Sequence, residues 1–326
     1  MKLKNKLLLA ILLLVTIPIN VFAYSNYVIA SGETIGIEVN SKGVLVVGFY
    51  EINNKFLAKD AGFEIGDKIV KINNKSVESI STMVSAMEDL NTNEFVFQVV
   101  RNNTTKDIKL NIEQTEDEII KTGLYVKDQI NGIGTLTYID PETKRFGALG
   151  HEIVESTTAQ KFEIKDGKIY DASVSKIEKS RDGKAGEKNA TYDTTTSSGE
   201  IDANEITGIY GTYKESIENM ETIEVGELED ITTGPAKIKT VINNDDIEEF
   251  DINILNIDTA SKTKNILFEI TDSNLLTKTG GVVQGMSGSP IIQNNKIIGA
   301  VNYVIVNDTK KGYGIFITTM LKEGDK

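Results

Sequence analysis

The 326-residue chain has no cysteine, no tryptophan, one histidine and four prolines. Each scarcity closes off some chemistry. Without cysteine there is no thiolate nucleophile, no disulfide framework and no zinc knuckle. One histidine cannot furnish a histidine-rich metal centre, and neither a metal nor another cofactor is expected. Missing cysteine does not place the chain in the cytosol, because an oxidising compartment permits disulfides without requiring them. Basic side chains are also short: 35 Lys and Arg stand against 48 Asp and Glu, a formal charge of −13. A surface of that sign repels a phosphate backbone, so nucleic acid is not an expected partner.

What is present is apolar material and glycine. Hydrophobic residues make up 40% of the chain and there are 27 glycines, which suits ordinary cores joined by many tight turns. The length exceeds that of a usual single domain, so two are expected. Three lysines in MKLKNK precede an uncharged run from Leu7 to Ala23. A positive start and an apolar stretch of about spanning length read as a signal peptide or membrane anchor over residues 1–23. Val21-Phe22-Ala23 offers a cleavage site. The rest is then exported, with membrane association through this leader and a linker over residues 24–35.

Residues 36–112 read as a compact first unit. IGIEVN and GVLVVGFYEI are strand candidates joined by a turn at Ser41-Lys42-Gly43. Lys68–Ile72 is another strand, followed by an Asn-Asn-Lys turn. Ile80, Val84, Met87 and Leu90 recur near a 3.6 period, a helix over 80–90 capped by Ser79 or Ser81. EFVFQVVRNN and TKDIKLNI close the unit as a hairpin about Asn102-Asn103. The run Ala61-Gly62-Phe63, then Gly66-Asp67-Lys68-Ile69 and Ile72-Asn73, resembles a PDZ domain of the circularly arranged kind in exported bacterial proteases. Phe63 and Asn74 stand where that family usually has Leu and Gly. PDZ domains bind extended peptides by adding a strand to a sheet edge beside a helix. The resemblance puts such a groove at the backbone of Val44, Leu45, Val46 and Val47 and on the helix face of Val84 and Met87. The alternative is a PDZ fold used only as an internal clamp on its neighbour.

An acidic connection, residues 113–121, leads to a second unit over residues 122–326. Short strand candidates such as GIGTLTYI, GIYGTY, KIKTVI and NILFEIT alternate with turns, which argues for an all-β barrel or sandwich. Residues 179–202, rich in Gly, Thr, Ser and charge, read as a long loop or paired hairpin edges.

Two places in this unit carry chemistry. Gly285-Met286-Ser287-Gly288-Ser289-Pro290 lies between two β-branched runs. Its glycines let the chain turn sharply and gather amides toward one point, so the N–H groups of Gly285 and Ser287 form an oxyanion-hole candidate around a Ser287 nucleophile. A glycine-rich turn without chemistry would have the same composition. His151 follows Phe146-Gly147-Ala148-Leu149-Gly150. A neutral imidazole is a natural general base for a serine hydroxyl, and His151 is the sole candidate in the chain. A carboxylate fixing the imidazole tautomer would complete the set. Asp272, 15 residues before Ser287, is one choice. Asp308 and Glu152 are weaker ones, Glu152 because a strand neighbour points away from His151.

The blocks GIGTLTYIDP with FGALGHEI, TGGVVQGMSGSP, and IGAVNYVIVNDTKKGYGIFI together resemble the stage IV sporulation protein B family of serine peptidases. The likeness spans the leader, the PDZ-like unit and nearly all of the second unit. It implies a His–Asp–Ser arrangement on His151, Asp272 and Ser287. It also implies a mainly β fold, with a small PDZ-like α/β domain followed by a trypsin-like double β-barrel peptidase domain. Glu152 and Glu155 depart from the family's usual text after the histidine. By this resemblance the chain is an exported serine endopeptidase of sporulation, crossing the inner forespore membrane to act between forespore and mother-cell membranes. It would process its own N-terminal segment and cleave a membrane-associated sporulation protein, which triggers sigma-factor activation. The rival reading is a non-catalytic PDZ and barrel module that only binds. A glycan-binding wall protein finds less support, since aromatics do not cluster.

Overall fold

The computed structural model describes residues 24–88, 92–112 and 120–326. The leader at 1–23 and most of the connection at 113–121 lie outside the described residues. Among the described residues no helix is long and apolar enough to cross a membrane.

Two sixteen-residue strands organise the chain, β2 (Thr34–Phe49) and β7 (Leu124–Ile139). They run antiparallel along their length, Thr34 opposite Thr135 and Phe49 opposite Leu124. The two strands read on either side of Ser41-Lys42-Gly43 are thus one. The expected turn is an irregularity inside it: Gly43 sits at φ +109°, its carbonyl takes the Ser41 hydroxyl, and the register with β7 jumps from Asn40 to Leu45.

The second half of β2 serves the PDZ-like unit. Val44 and Leu45 pair with β3 (Lys68–Ile72), which pairs with β4 (Lys75–Ser76) and β5 (Glu94–Arg101). β5 and β6 (Thr104–Asn111) form the expected hairpin, with Asn102 and Asn103 both at positive φ. Two helices complete the unit, α1 (Leu57–Asp60) and α2 (Ile80–Glu88). Ser79 caps α2 by taking the Thr82 N–H at 3.2 Å. Val44, Val46, Phe63, Ile69, Met87 and Phe97 share its core.

The first half of β2 serves the peptidase unit. Residues 35–41 pair with β9 (Ile164–Glu178) on the edge opposite β7. β7 pairs with β8 (Arg145–Ala148), which pairs with β12 (Gly208–Tyr213), and β12 with β11 (Gly199–Glu205). Further along, β14 (Gly234–Val241), β15 (Ile247–Ile257), β16 (Ile266–Ile270), β20 (Lys311–Phe316), β19 (Lys296–Val304) and β18 (Pro290–Gln293) pair in that order. The two sets are stitched together. β1 (Tyr27–Ala30) pairs with β7 and with β13 (Ile223–Val225), which pairs with β19. β10 (Gly186–Tyr192) pairs with β9 and, in parallel, with β17 (Val283–Gln284). All twenty strands among the described residues therefore form one hydrogen-bonded sheet.

This corrects the expected trypsin-like double β-barrel. Instead of two separate barrels the strands make one sheet, in which β1, β10, β13 and β17 carry the pairing from one strand set to the other. β2 and β7 carry it on into the PDZ-like unit. The mainly β class and the PDZ-like region stand. Two helices finish the peptidase unit, α3 (Ser273–Thr279) before β17 and α4 (Ile317–Gly324) at the C-terminal end. α4 buries Ile317, Met320 and Leu321 in a cluster with Tyr138 and Tyr210.

Candidate active site

The turn from Gly285 to Ser289 leaves β17 and enters β18. Gly285 and Gly288 adopt φ of +92° and +96°, a region that excludes most side chains. At Gly288 space forbids one as well, since a Cβ would lie 2.0 Å from the Thr135 carbonyl oxygen. Met286 is fully buried and anchors the turn in the core beside Val283 and Val301. β7 holds it from the other side. The Thr135 N–H donates to the Ser287 carbonyl at 3.0 Å, and the Thr135 and Thr137 hydroxyls donate to the Gly285 and Gly288 carbonyls at 2.7 Å each. The turn's carbonyls are thus tied down toward β7. Among the described residues no carbonyl takes the Ser287 N–H, which leaves it for a developing oxyanion.

His151 is placed by a second sharp bend. After β8, Leu149 and Gly150 take φ of +69° and +70° in succession. A left-handed leucine is an unusual conformation, of the sort found where a side chain is being aimed. The His151 ring stacks on Tyr303, centroids 5.6 Å apart and planes 21° apart. Its Nδ1 lies 2.9 Å from the Glu152 carbonyl oxygen. A carbonyl only accepts, so Nδ1 carries the proton and Nε2 keeps its lone pair. Burial lowers the His151 pKa from its ordinary 6.5, against a smaller raising effect of Glu152. The imidazole is accordingly neutral at pH 7, the form that a general base requires.

His151 and Ser287 line one cleft of about 580 Å³. Neighbouring residues of β19 hold them: the Ser287 hydroxyl donates to the Asn302 carbonyl at 3.2 Å, while Tyr303 backs His151. The hydroxyl must swing from Asn302 to reach Nε2. Catalytic hydrogen bonds are often loose before substrate enters. Ile37, Ile133, Leu149, Ile153 and Val283 make the walls largely apolar.

The other sequence candidates lie elsewhere or act differently. Asp272 is the N-cap of α3, its carboxylate taking the Leu275 N–H at 2.8 Å, and it does not line the cleft. Asp308 pairs with Lys311 at 2.8 Å. Glu152 does reach the imidazole, but through its backbone carbonyl, which does the tautomer-fixing assigned to a carboxylate. Sequence reasoning misses this because it weighs side chains only. At the expected PDZ groove, Val44 and Val46 are buried, Leu45 and Val47 half-buried, Met87 buried and Val84 exposed. The β2 edge there is already paired: Leu45 faces Lys127 and Val46 faces Val126, both on β7. Asp128, next along β7, takes the Ile80 N–H at the start of α2 at 2.7 Å. Among the described residues no cluster of His, Cys, Asp or Glu is arranged to hold a metal ion.

A serine hydroxyl on a glycine turn, a neutral imidazole with an open Nε2 and a free amide in one apolar cleft are the groups a serine peptidase uses. Residues 118–321 match the family described as SpoIVB peptidase S55, and residues 34–112 match the PDZ domain. The chain belongs to the SpoIVB family of sporulation serine peptidases and carries a PDZ domain. No curated protein matches it. Similar solved structures include the active form of the Rv3671c protease from M. tuberculosis: 13% identity, 58% of this chain, 70% of that one, TM-score 0.32. An inactive serine-to-alanine mutant of that protein shares 14% identity over 57% of this chain and 76% of that one, TM-score 0.29. Its inactive form shares 14% over 58% and 80%, TM-score 0.30. Likeness at that level bears on neither the site nor the substrate.

Proposed function

We propose that the protein is an exported endopeptidase that processes its own N-terminal segment and cleaves a membrane-associated partner between the forespore and mother-cell membranes, triggering sigma-factor activation. Ser287 Oγ attacks the scissile carbonyl as His151 Nε2 takes its proton. The amides of Gly285 and Ser287 receive the oxyanion, and His151 then returns the proton to the leaving amine. The apolar walls suit an extended peptide with apolar side chains about the scissile bond. The observation that carries this reading is the convergence of His151 and Ser287 on one cleft, with Nδ1 held by the Glu152 carbonyl and, among the described residues, no hydrogen bond on Nε2. Asp272, by its contacts, is a helix cap, and the Glu152 carbonyl orients the imidazole in its place. Because β7 fills the β2 edge beside α2, the PDZ-like unit works as a clamp on the peptidase unit in this arrangement.

The test compares the N-terminal sequence and mass of the exported protein with those of Ser287→Ala. Fragments that form only when Ser287 is present support self-processing. Identical processing in both favours the binding-module reading, which the Ser287–Asn302 bond and the helix-capping role of Asp272 also suit.

A further inference from the structure

Beneath the nucleophile turn, on the side away from the cleft, lies a lysine that the mechanism above does not use. Lys188 is a buried residue of β10, 1% exposed. Its stem runs under Gly285: a Cβ placed there would lie 3.0 to 3.3 Å from Lys188 Cβ, Cγ and Cδ. Its Nζ donates to Thr240 Oγ1 at 2.9 Å, and Ser289 Oγ donates to the same oxygen at 2.9 Å. Thr240 and Ser289 are fully buried. One side chain thus touches both ends of the turn, directly at Gly285 and through Thr240 at Ser289, with Ser287 midway between them.

No core needs a lysine for packing alone, since desolvating an ammonium is costly without a partner. Among the described residues no carboxylate pairs with it. Its neighbours offer little charge. β9 sets Ile177 opposite it, β17 contributes Val283 and Gln284 beside it, and the turn contributes Met286 and Ser289. β15 places Glu248 opposite Thr240, and Glu38 of β2 acts at the far end of β10, on Tyr192.

We propose that Lys188 is a positioning residue for Ser287: it ties the two ends of the Gly285–Ser289 turn to β10 and β14, so that the hydroxyl and its amide keep their place against His151. The proposal rests on the serine peptidase reading for its consequence, though not for its geometry. Burial pushes the Lys188 amine down to about 7. The uncharged amine keeps its donated bond to Thr240 Oγ1 without the cost of a buried, unpaired charge. Protonation puts a charge on that buried nitrogen and, among the described residues, leaves its other ammonium hydrogens without acceptors. The tie is therefore complete above about pH 7 and weakened below it.

The experiment uses the full chain as wild type, Lys188→Met, Thr240→Val and Thr240→Ser. Methionine has a similar length and lacks the amine, so Lys188→Met folds without a buried charge. Three quantities are read: the rate at which a fluorophosphonate labels Ser287, its pH dependence, and amide hydrogen exchange over residues 283–290. Lys188→Met and Thr240→Val are expected to label about tenfold to a hundredfold more slowly. Thr240→Ser should restore the rate. Wild-type labelling should decline across pH 7 with contributions from both Lys188 and His151, whereas Lys188→Met should decline through His151 alone. Exchange in the turn rises in Lys188→Met. A Lys188→Met protein with wild-type labelling, pH profile and exchange overturns the proposal. If wild type takes no label, the peptidase reading fails, and exchange alone decides: a looser turn in Lys188→Met upholds the positioning role and an unchanged one refutes it.

Discussion

The molecule has two places suited to hold an extended peptide, and they differ in what already occupies them. The cleft between His151 and Ser287 is open, walled by apolar side chains and furnished with an unclaimed Ser287 amide and an imidazole Nε2. At the PDZ-like unit, the β2 edge beside α2 is filled by residues 124–128 of the chain's own β7. Seven residues further along the same strand, Thr135 holds the Gly285–Ser289 turn at two points. A sheet edge, once paired, has no N–H and C=O groups left to offer, so a PDZ fold does not by itself make a peptide receptor. What β7 provides instead is a rigid link between the PDZ-like unit and the turn that carries Ser287.

The largest expected effect comes from the turn. In Gly288→Ala the new Cβ would collide with the Thr135 carbonyl in a backbone region hostile to side chains, and β7 is too firmly paired to yield. A loss of at least about 2 kcal/mol in stability and near-total loss of fluorophosphonate labelling are expected. Urea unfolding and labelling rates check both. Labelling at the wild-type rate would mean that β7 does not set the turn.

Next is the anchor that holds β7 from the peptidase side. Lys127 of β7 donates to Glu155 at 2.7 Å, and the Thr157 and Thr158 N–H groups also reach the Glu155 carboxylate at 2.8 Å each. Burial alone would raise the Glu155 pKa. Lys127 and the Thr158 and Thr157 N–H groups outweigh it and hold the carboxyl down to about 2. Because the folded-state value is depressed, this contribution is complete above the ordinary value of 4.5 and is lost as pH falls toward about 2. Glu155→Gln is expected to cost about 1–3 kcal/mol at pH 7 and to flatten the stability profile between those limits. Urea midpoints measured across that range test it. A profile unchanged by Glu155→Gln would show that the anchor contributes nothing.

The smallest effect separates the two accounts of Asp272. Asp272→Ala removes a helix cap and should cost about 1 kcal/mol, while Asp272→Asn keeps the cap and should label like wild type. Loss of labelling in the asparagine variant would return Asp272 to the catalytic set in place of the Glu152 carbonyl.

Much of this architecture is legible in the sequence, and the exceptions have physical causes. The Asn-Asn turns at 73–74, 102–103 and 294–295 all adopt the paired positive φ their composition favours. The Gly285–Ser289 turn and the lone histidine stand out because few other residue types do that work. β10 hides in an apparent loop because its buried positions are Gly186 and Lys188, neither of which reads as apolar alternation. β2 reads as two strands since Ser41-Lys42-Gly43 has the composition of a turn, and only the long partner β7 keeps it continuous. The barrel expectation fails for a related reason: which strand edges meet across about 70 to 100 residues is settled by tertiary pairing that local pattern does not encode.

The central claim is that Ser287 is a nucleophile activated by His151 in the open cleft. Its most direct test is fluorophosphonate labelling of the full chain, with the adduct located by mass spectrometry and the rate followed against pH. The account predicts one adduct, on Ser287, whose rate falls on acidification through a His151 pKa lowered from 6.5, and which is absent in His151→Gln. No adduct on Ser287, or one that forms equally well in His151→Gln, would contradict it.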